Sequence, residues 1–336
     1  MSSEISFKFD ITKKGKGIKA LAIILAVLLV LVGSGVIFIY SVLGRINHVD
    51  AEDDVYYAEG IEELEEEAEA IPSGYEVLEE YEIDTSDEIE MMSDKNVTNI
   101  LLIGCDNRGT GASGRSDTMI IFSIDKRNRK IKMVSLLRDL YVPINGRQDN
   151  RLNAAYAYGG TKLLIDTIEN NFKIKIDKYV RVSFQDFVNV VNRVGGVTVN
   201  LNEAEANIVK TEPGLRRLNG KQALTYARIR KIDSDFGRTN RQRIVIKALI
   251  SEMKKLSIKQ LSSLMYDVLP YITTDFTTTE LLAFIAQANS IKDYPITELS
   301  IPVKGSYKGI YIRGMAVLVT DLNEAAREVQ NFIYEQ

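Results

Sequence analysis

Residues 226–243, YARIRKIDSDFGRTNRQR, carry five arginines (Arg228, Arg230, Arg238, Arg241, Arg243) among Asp233, Asp235 and Gln242. Guanidinium groups stay charged at neutral pH, and their planar fork matches phosphate oxygens two at a time. Arg228 and Arg230 are two apart and share one side of an extended chain. Arg238 precedes Arg241 by three residues and Gln242 by four, which places the three near one helix face. A helix opening at Gly237-Arg238 adds free N–H groups and a favourable dipole to the same anion. The pattern is that of a site for a dianionic group or a pyrophosphate.

Three further segments carry charge at places where a strand meets a loop. In Gly104-Cys105-Asp106-Asn107-Arg108 an apolar run ends and a polar loop begins, and ligands of α/β sheets gather beyond strand ends. Gly114-Arg115-Ser116-Asp117-Thr118 is a glycine-opened turn into the next strand, and Ser135-Leu136-Leu137-Arg138-Asp139 ends another. Asp106 and Asp117 are a possible pair of carboxylates for one Mg²⁺, a hard cation that takes oxygen ligands together with water and phosphate. One histidine (His48) and one cysteine (Cys105) in the whole chain exclude an intrachain disulfide and a His/Cys metal cluster. Catalysis must therefore use carboxylates, arginines and hydroxyls, with or without a hard metal ion. His48 reads as a solvated linker residue and Cys105 as a small buried hydrophobe.

The elements that must hold these residues alternate in type. Strands are expected at 98–104, 117–124 and 130–136, the last two around a DKRNR turn. Helices follow at 153–158 and 161–171, then a strand at 178–182 and a helix at 184–194 closed by Gly195-Gly196. A strand at 197–201 and helices at 219–227, 238–255 and 278–290 complete the pattern, which predicts an α/β domain layered on a central sheet.

Residues 20–44 contain no charge and exceed the ~20 apolar residues that span a bilayer as a helix. Lys8, Lys13, Lys14, Lys16 and Lys19 precede this run and only Arg45 closely follows it, so residues 1–19 are predicted cytoplasmic and the rest extracytoplasmic. From Asp50 to Asp94 there are twenty acidic residues and no basic one, and residues 45–94 read as a solvated acidic stalk. Residues 95–336 hold 36 Lys and Arg against 24 Asp and Glu, a basic domain suited to an anionic partner such as lipid phosphates or a polyanionic glycan.

NILLIGCDNRG, GRSDTMIIFSID, VSLLRDLYVPI, LNAAYAYGG, GGVTVNL, LNGKQALTYARIRK and DFGRTNRQR occur in this order. Together they resemble the LytR–CpsA–Psr (LCP) family over residues 95–255, with a weaker C-terminal extension. The resemblance implies a mixed central β-sheet flanked by helices in a domain spanning 95–336, after one transmembrane helix. It also implies a membrane-anchored extracytoplasmic phosphotransferase. Such enzymes move a phosphoglycan, of the teichoic acid or capsular polysaccharide type, from polyprenyl pyrophosphate to peptidoglycan. By the same resemblance Arg115, Arg138, Arg228, Arg230, Arg238 and Gln242 bind the pyrophosphate, and Asp106 and Asp117 associate with Mg²⁺ or Mn²⁺. Asp235 occupies a further acidic position of the family, and either it or Asp139 would accept the acceptor's proton. The chain departs from the family in Leu136-Leu137, where proline commonly precedes the arginine, in Leu140 for a threonine or serine, and in Cys105 for a frequent serine.

The polyprenyl tail requires an apolar tunnel, expected from residues 163–168, 184–194 and 244–249. Membrane lipid and peptidoglycan are the expected partners, and nucleic acid is not. Two other readings use the same clamp: a pyrophosphatase that releases polyprenyl phosphate to water, and a non-catalytic adaptor that binds wall polymer.

Overall fold

The computed structural model describes residues 44–54, 70–85, 88–106, 114–230 and 232–335. The chain begins with the short strands β1 (Asn47–His48) and β2 (Glu76–Leu78), then β3 (Val97–Cys105), β4 (Ser116–Asp125) and β5 (Lys130–Leu136). A small pair, β6 (Tyr141–Val142) and β7 (Asn150–Arg151), leads into α1 (Leu152–Phe172), β8 (Lys178–Ser183) and α2 (Phe184–Val194). Next come β9 (Val197–Leu201), α3 (Glu203–Val209), β10 (Gly214–Leu218), α4 (Gly220–Ala227) and the long α5 (Asp235–Lys254). The remainder is α6 (Ile258–Val268), β11 (Thr273–Thr274), α7 (Thr278–Ile291), β12 (Ile296–Ile301), β13 (Tyr307–Ile312), β14 (Met315–Thr320) and α8 (Leu322–Tyr334).

Seven strands form one mixed sheet in the order β1-β11-β8-β3-β4-β5-β12. β3, β4 and β5 are an antiparallel meander, while β8 joins β3 and β12 joins β5 in parallel. This is the mixed central sheet flanked by helices that the sequence leads one to expect. The near-continuous apolar run of β3 follows from its place between two covered faces. Leu101 and Cys105 point into a core shared with α1 and α8, where Leu164, Ile168 and Val329 are fully buried. Ile100, Leu102 and Gly104 point to the opposite face, toward a cavity.

Local signals set most boundaries. Ser183 caps α2 by accepting a hydrogen bond from the Asp186 N–H, and Gly195 (φ 91°) ends it at the expected glycine pair. The two helices expected at 153–158 and 161–171 form one element, interrupted by non-helical backbone at Gly159 and Gly160. Helix α5 starts at Asp235, three residues before the expected position, because Ser234 already sits in extended backbone ahead of it. Asp235 thereby enters the first helical turn, beside Arg238.

The acidic segment departs from the stalk expectation where it is described. β1 pairs with β11 at one edge of the large sheet, so His48 lies in a strand, and β2 adds to β13. Asp54 is buried against Arg181 at 3.2 Å and also accepts from the Thr161 hydroxyl. A handful of such anchors ties the described parts of the segment to the body, and most carboxylates among those described residues face water. The expected transmembrane span, 20–44, lies outside the described residues apart from Gly44. Among the described residues no helix is long and apolar enough to cross a membrane.

Candidate active site

The segments singled out above meet at one end of the large sheet. β3 runs antiparallel to β4 and β4 to β5, so the end of β3, the start of β4 and the end of β5 are neighbours. The β3–β4 register shifts between Gly104 and Cys105: Gly104 faces Thr118, whereas Cys105 faces Ser116. Asp117 is the extra residue of this bulge, a device that re-aims a side chain at a sheet rim. Asp106 is the first residue beyond β3. After β5, the buried Leu137 and Leu140 pin a tight turn, with the Leu137 N–H on the Ile301 carbonyl. Arg138 and Asp139 are held between them.

Arg138 links two acids: Nη1 donates to Asp117 Oδ1 at 2.9 Å and Nε to Asp139 Oδ2 at 3.2 Å. Burial works against its charge, but Asp139, Asp117 and Asp235 outweigh burial and raise its pKa further. Arg228 and Arg230 flank Ile229, which is buried in a second core with α3, α4 and α5, so the two arginines turn the other way, to the cavity. The Arg228 guanidinium lies 4.4 Å over the Phe184 ring, and Arg230 reaches Asp117 at 3.4 Å.

Arg238 is the most constrained of the group. Its side chain is 3% exposed, and Nη1 is 3.1 Å from Asp235 Oδ1 without hydrogen-bond alignment. Neither Nη1 nor Nε has a hydrogen-bond partner. Burial, then repulsion from Arg138 and Arg230, lowers its pKa. Two buried donors without acceptors are costly, and they point to an anion as the missing acceptor.

Asp139 and Asp235 are hydrogen-bonded to each other. Burial, helped by the Asp235 charge, pushes the Asp139 carboxyl up to about 6 despite Arg138 and Arg151. Burial acts against ionised Asp235 as well, but Arg238, the bond from Asp139, Arg138 and Arg230 hold it below the ordinary range. Below about pH 6 a proton taken up by this pair therefore resides on Asp139, and above it both carboxyls are ionised.

Behind the arginines opens a cavity of about 490 Å³. Helix α5 lines it at Arg238, Gln242, Val245, Ile246, Leu249 and Met253, a three-and-four spacing that keeps one face turned inward. That face begins with a guanidinium and an amide and continues as hydrocarbon. The residues expected at 184–194 and 244–249 do contribute, through Phe187, Val190, Ile246 and others. Those at 163–168 do not: Leu164, Ile165 and Ile168 lie across the sheet in the α1–α8 core. The unanticipated wall comes from α6, α7 and the strand before it, with Leu261, Met265, Phe276, Phe284 and Ile291. Its signal was present as apolar positions on two capped helices, but nothing local said which surface they would cover.

Arg241 also departs from expectation. It is buried away from the cavity, chelating Asp233 at 2.8 and 2.6 Å and reaching Glu205 at 3.4 Å. At about 100° per residue Arg241 stands about 60° from Arg238 and about 100° from Gln242 around the axis, on the flank that meets Asp233 and Glu205. Gly237 makes room for this, since a β-carbon there would stand 2.1 Å from Asp233 Oδ2. Arg243 is likewise structural, paired with Glu298 of β12 at 2.9 Å. Arg115, half-buried directly ahead of β4, is at the correct sheet end but not on the cavity wall. No group of three His, Cys, Asp or Glu side chains suited to a metal occurs among the described residues. A cation held by Asp106 and Asp117 needs the rest of its ligands from water and a bound phosphate.

The family model described as LytR_cpsA_psr matches residues 62–331. The chain belongs to the LytR_cpsA_psr family. It is 35% identical over 230 residues to the Bacillus subtilis (strain 168) polyisoprenyl-teichoic acid–peptidoglycan teichoic acid transferase TagV, covering 64% of this chain and 59% of that protein. It is 41% identical over 177 residues to the TagU transferase of Oceanobacillus iheyensis, covering 50% of this chain and 55% of that one. The chain thus spans somewhat over half the length of these LytR_cpsA_psr relatives. A solved structure of TagT bound to LIIa-WTA has the same fold, with TM-score 0.61, 27% identity, and coverage of 75% of this chain and 97% of that one.

Proposed function

We propose that the protein is a membrane-anchored extracytoplasmic phosphotransferase that moves a phosphoglycan of the teichoic acid or capsular type from polyprenyl pyrophosphate to peptidoglycan. The transferase activities for which TagV and TagU are named support the reaction class. The observation that carries the reading within this chain is Arg238: a buried guanidinium with two unmet donors at the mouth of an apolar cavity. A molecule with a doubly phosphorylated head and a hydrocarbon tail satisfies both features together.

In this reading the tail lies along α5 beneath the sheet, and Arg228, Arg230, Arg238 and Gln242 grip the pyrophosphate, with Arg115 and Arg138 closing from the β4 and β5 side. A sugar hydroxyl of the acceptor attacks the phosphorus that bears the glycan. The bond from that phosphorus to the polyprenyl phosphate oxygen breaks, and the arginines stabilise the departing charge. Asp139 takes the hydroxyl proton. Its raised pKa near 6 suits a base at neutral pH, whereas Asp235, held ionised by arginines, orients it. Asp106 and Asp117 are the residues that would hold a Mg²⁺ or Mn²⁺ ion, and a bound ion would supply further charge neutralisation.

The test is transfer of a lipid-pyrophosphate-linked glycan to peptidoglycan oligomers by the purified protein, with products identified by mass spectrometry. Glycan joined to the oligomer, together with polyprenyl phosphate, supports the proposal. Polyprenyl phosphate and free phosphoglycan in equal yield with or without acceptor would make the protein a pyrophosphatase. Polymer binding without turnover would make it an adaptor.

A further inference from the structure

Next to Asp139 and Asp235, and outside the cavity lining, lies an aromatic ledge with no role in gripping the lipid head. Tyr307 and Gly309 are two apart on β13 and share a face of that strand. Gly309 lets the Tyr75 ring lie flat on the strand, since a β-carbon there would stand 2.6 Å from Tyr75 Cε2. Phe236, the residue after Asp235, stacks on Tyr307 with ring centroids 5.2 Å apart and planes 28° apart. All three rings are half-buried, with part of each surface open.

The ledge is fastened to the acid pair through the backbone. Gly309 stands opposite Leu318 on β14, and the Leu318 N–H donates to the Asp139 carbonyl at 2.8 Å. Arg151 of β7 lies 3.7 Å from Asp139 Oδ1 and also holds the Ala316 carbonyl of β14 at 2.9 Å. The Asp139 and Asp235 charges reach Tyr75, where, after burial, they help raise the phenol's pKa. Contacts therefore run from the cavity through Arg230, Asp117 and Arg138 to Asp139, and from Arg238 to Asp235, with the ledge next to both acids.

We infer that Tyr75, Tyr307 and Phe236 form the acceptor subsite, a platform for a sugar ring of a glycan strand whose hydroxyl is delivered to Asp139. This rests on the transfer reading. The donor enters from the cavity side, so the nucleophile must come from the other, and the first surface there is aromatic. Tyrosines offer an apolar face for the C–H side of a sugar and a hydroxyl for its rim. The adjacent carboxylates accept hydrogen bonds from sugar hydroxyls and repel a second phosphate, which selects a polyhydroxylated ring over another anion.

Two readouts on the full chain test it. With donor saturating, Tyr307→Ala and Gly309→Ala are expected to raise the acceptor KM about ten-fold, the scale of one lost aromatic anchor, without raising the donor KM. Tyr307→Phe keeps the ring and is expected to stay near the parent. An unaltered acceptor KM in a folded Tyr307→Ala protein, or a donor KM that rises in parallel, overturns the inference; the second result would seat the donor's own glycan on the ledge. Separately, soluble peptidoglycan saccharides are titrated while tyrosine fluorescence is followed, which the absence of tryptophan makes readable. Saccharide binding lost in Tyr307→Ala, in a protein that transfers nothing, sinks the transfer reading and leaves the ledge standing. No binding by the parent protein sinks the ledge whatever the turnover.

Discussion

Arg238 sits where a charge is expensive: its guanidinium is buried, next to Arg138 and Arg230, with two donors unmet. A residue selected for stability alone would not combine these features, because an unsatisfied buried charged donor costs more than the packing of its stem returns. Arg238→Ala is therefore expected to lower transfer by about 10²–10³-fold, as for loss of a preorganised charge-stabilising donor, while the thermal midpoint falls by at most about a degree or two, because its partner Asp235 is 32% exposed and repulsion from Arg138 and Arg230 is relieved. A fall of several degrees would reassign Arg238 to a structural role. At Asp139 the argument is one of proton linkage. Its carboxyl is raised from 3.8 to about 6, so the stability it contributes is present below the ordinary carboxylate range and is lost as pH rises through about 6. A base must be deprotonated, so kcat/KM is expected to fall below pH ~6 with a single-proton slope. Asp139→Asn should abolish that limb along with most of the rate, and at pH 8 should melt no lower than the parent. The arginine density and both acids were legible in the sequence because residue type alone announces phosphate chemistry. The choice between Asp139 and Asp235 was not, since it depends on burial and on which arginines surround each carboxyl.

Strand β3 has two faces with opposite duties. Leu101, fully buried, packs on the solid α1–α8 core, whereas its neighbour Leu102 lines the cavity. Leu101→Ala should cost about 2–5 kcal/mol of stability, read by denaturant unfolding. Leu102→Trp should cost much less stability and, on the proposed reading, reduce any polyprenyl phosphate that co-purifies, because the added ring would occupy tail volume. Equal destabilisation by both substitutions would mean that the cavity face is ordinary core. On the proposed reading, burial at about 0.8 kcal/mol per CH₂ would let ten carbons of tail supply about 8 kcal/mol, ample to hold a lipid while its head is positioned. Sequence periodicity identified β3, β4, β5, β8 and α2 because each is short, apolar and bounded by polar turns. It could not allot the apolar helices between the faces. Residues 163–168 and 244–249 read alike as apolar helix, yet the first packs in the core and the second lines the tunnel. The difference lies in sheet topology: α1, between β7 and β8 in the chain, packs with α8 on one face, and α5 lies against the other.

At the scale of the molecule, the acidic N-terminal segment decides how the body is closed. Composition argued for a spacer, and its carboxylates are indeed too many for a core. Composition is blind, however, to two short strand pairings and one buried acid. β1 covers β11, whose other side pairs with β8, and β2 covers β13, so an edge of each sheet is occupied rather than left open to other chains. Asp54 is the third fastening. It pairs with Arg181 of β8, accepts from Thr161 of α1, and its carbonyl takes the Thr161 N–H at 3.1 Å. One residue thus joins segment, sheet and helix. Removing one partner of a buried pair leaves the other charge uncompensated and typically costs about 3–5 kcal/mol. Asp54→Ala should accordingly lower the thermal midpoint strongly. Glu52→Ala, where the carboxylate is 77% exposed and 3.7 Å from Lys162, should leave it within about 1 kcal/mol of the parent. Limited proteolysis separates the two accounts of the segment. If it folds onto the body, the parent resists cleavage near residues 44–54 and Asp54→Ala is cut there rapidly. Cleavage of both proteins at the same rate, with matching thermal midpoints, would restore the spacer reading.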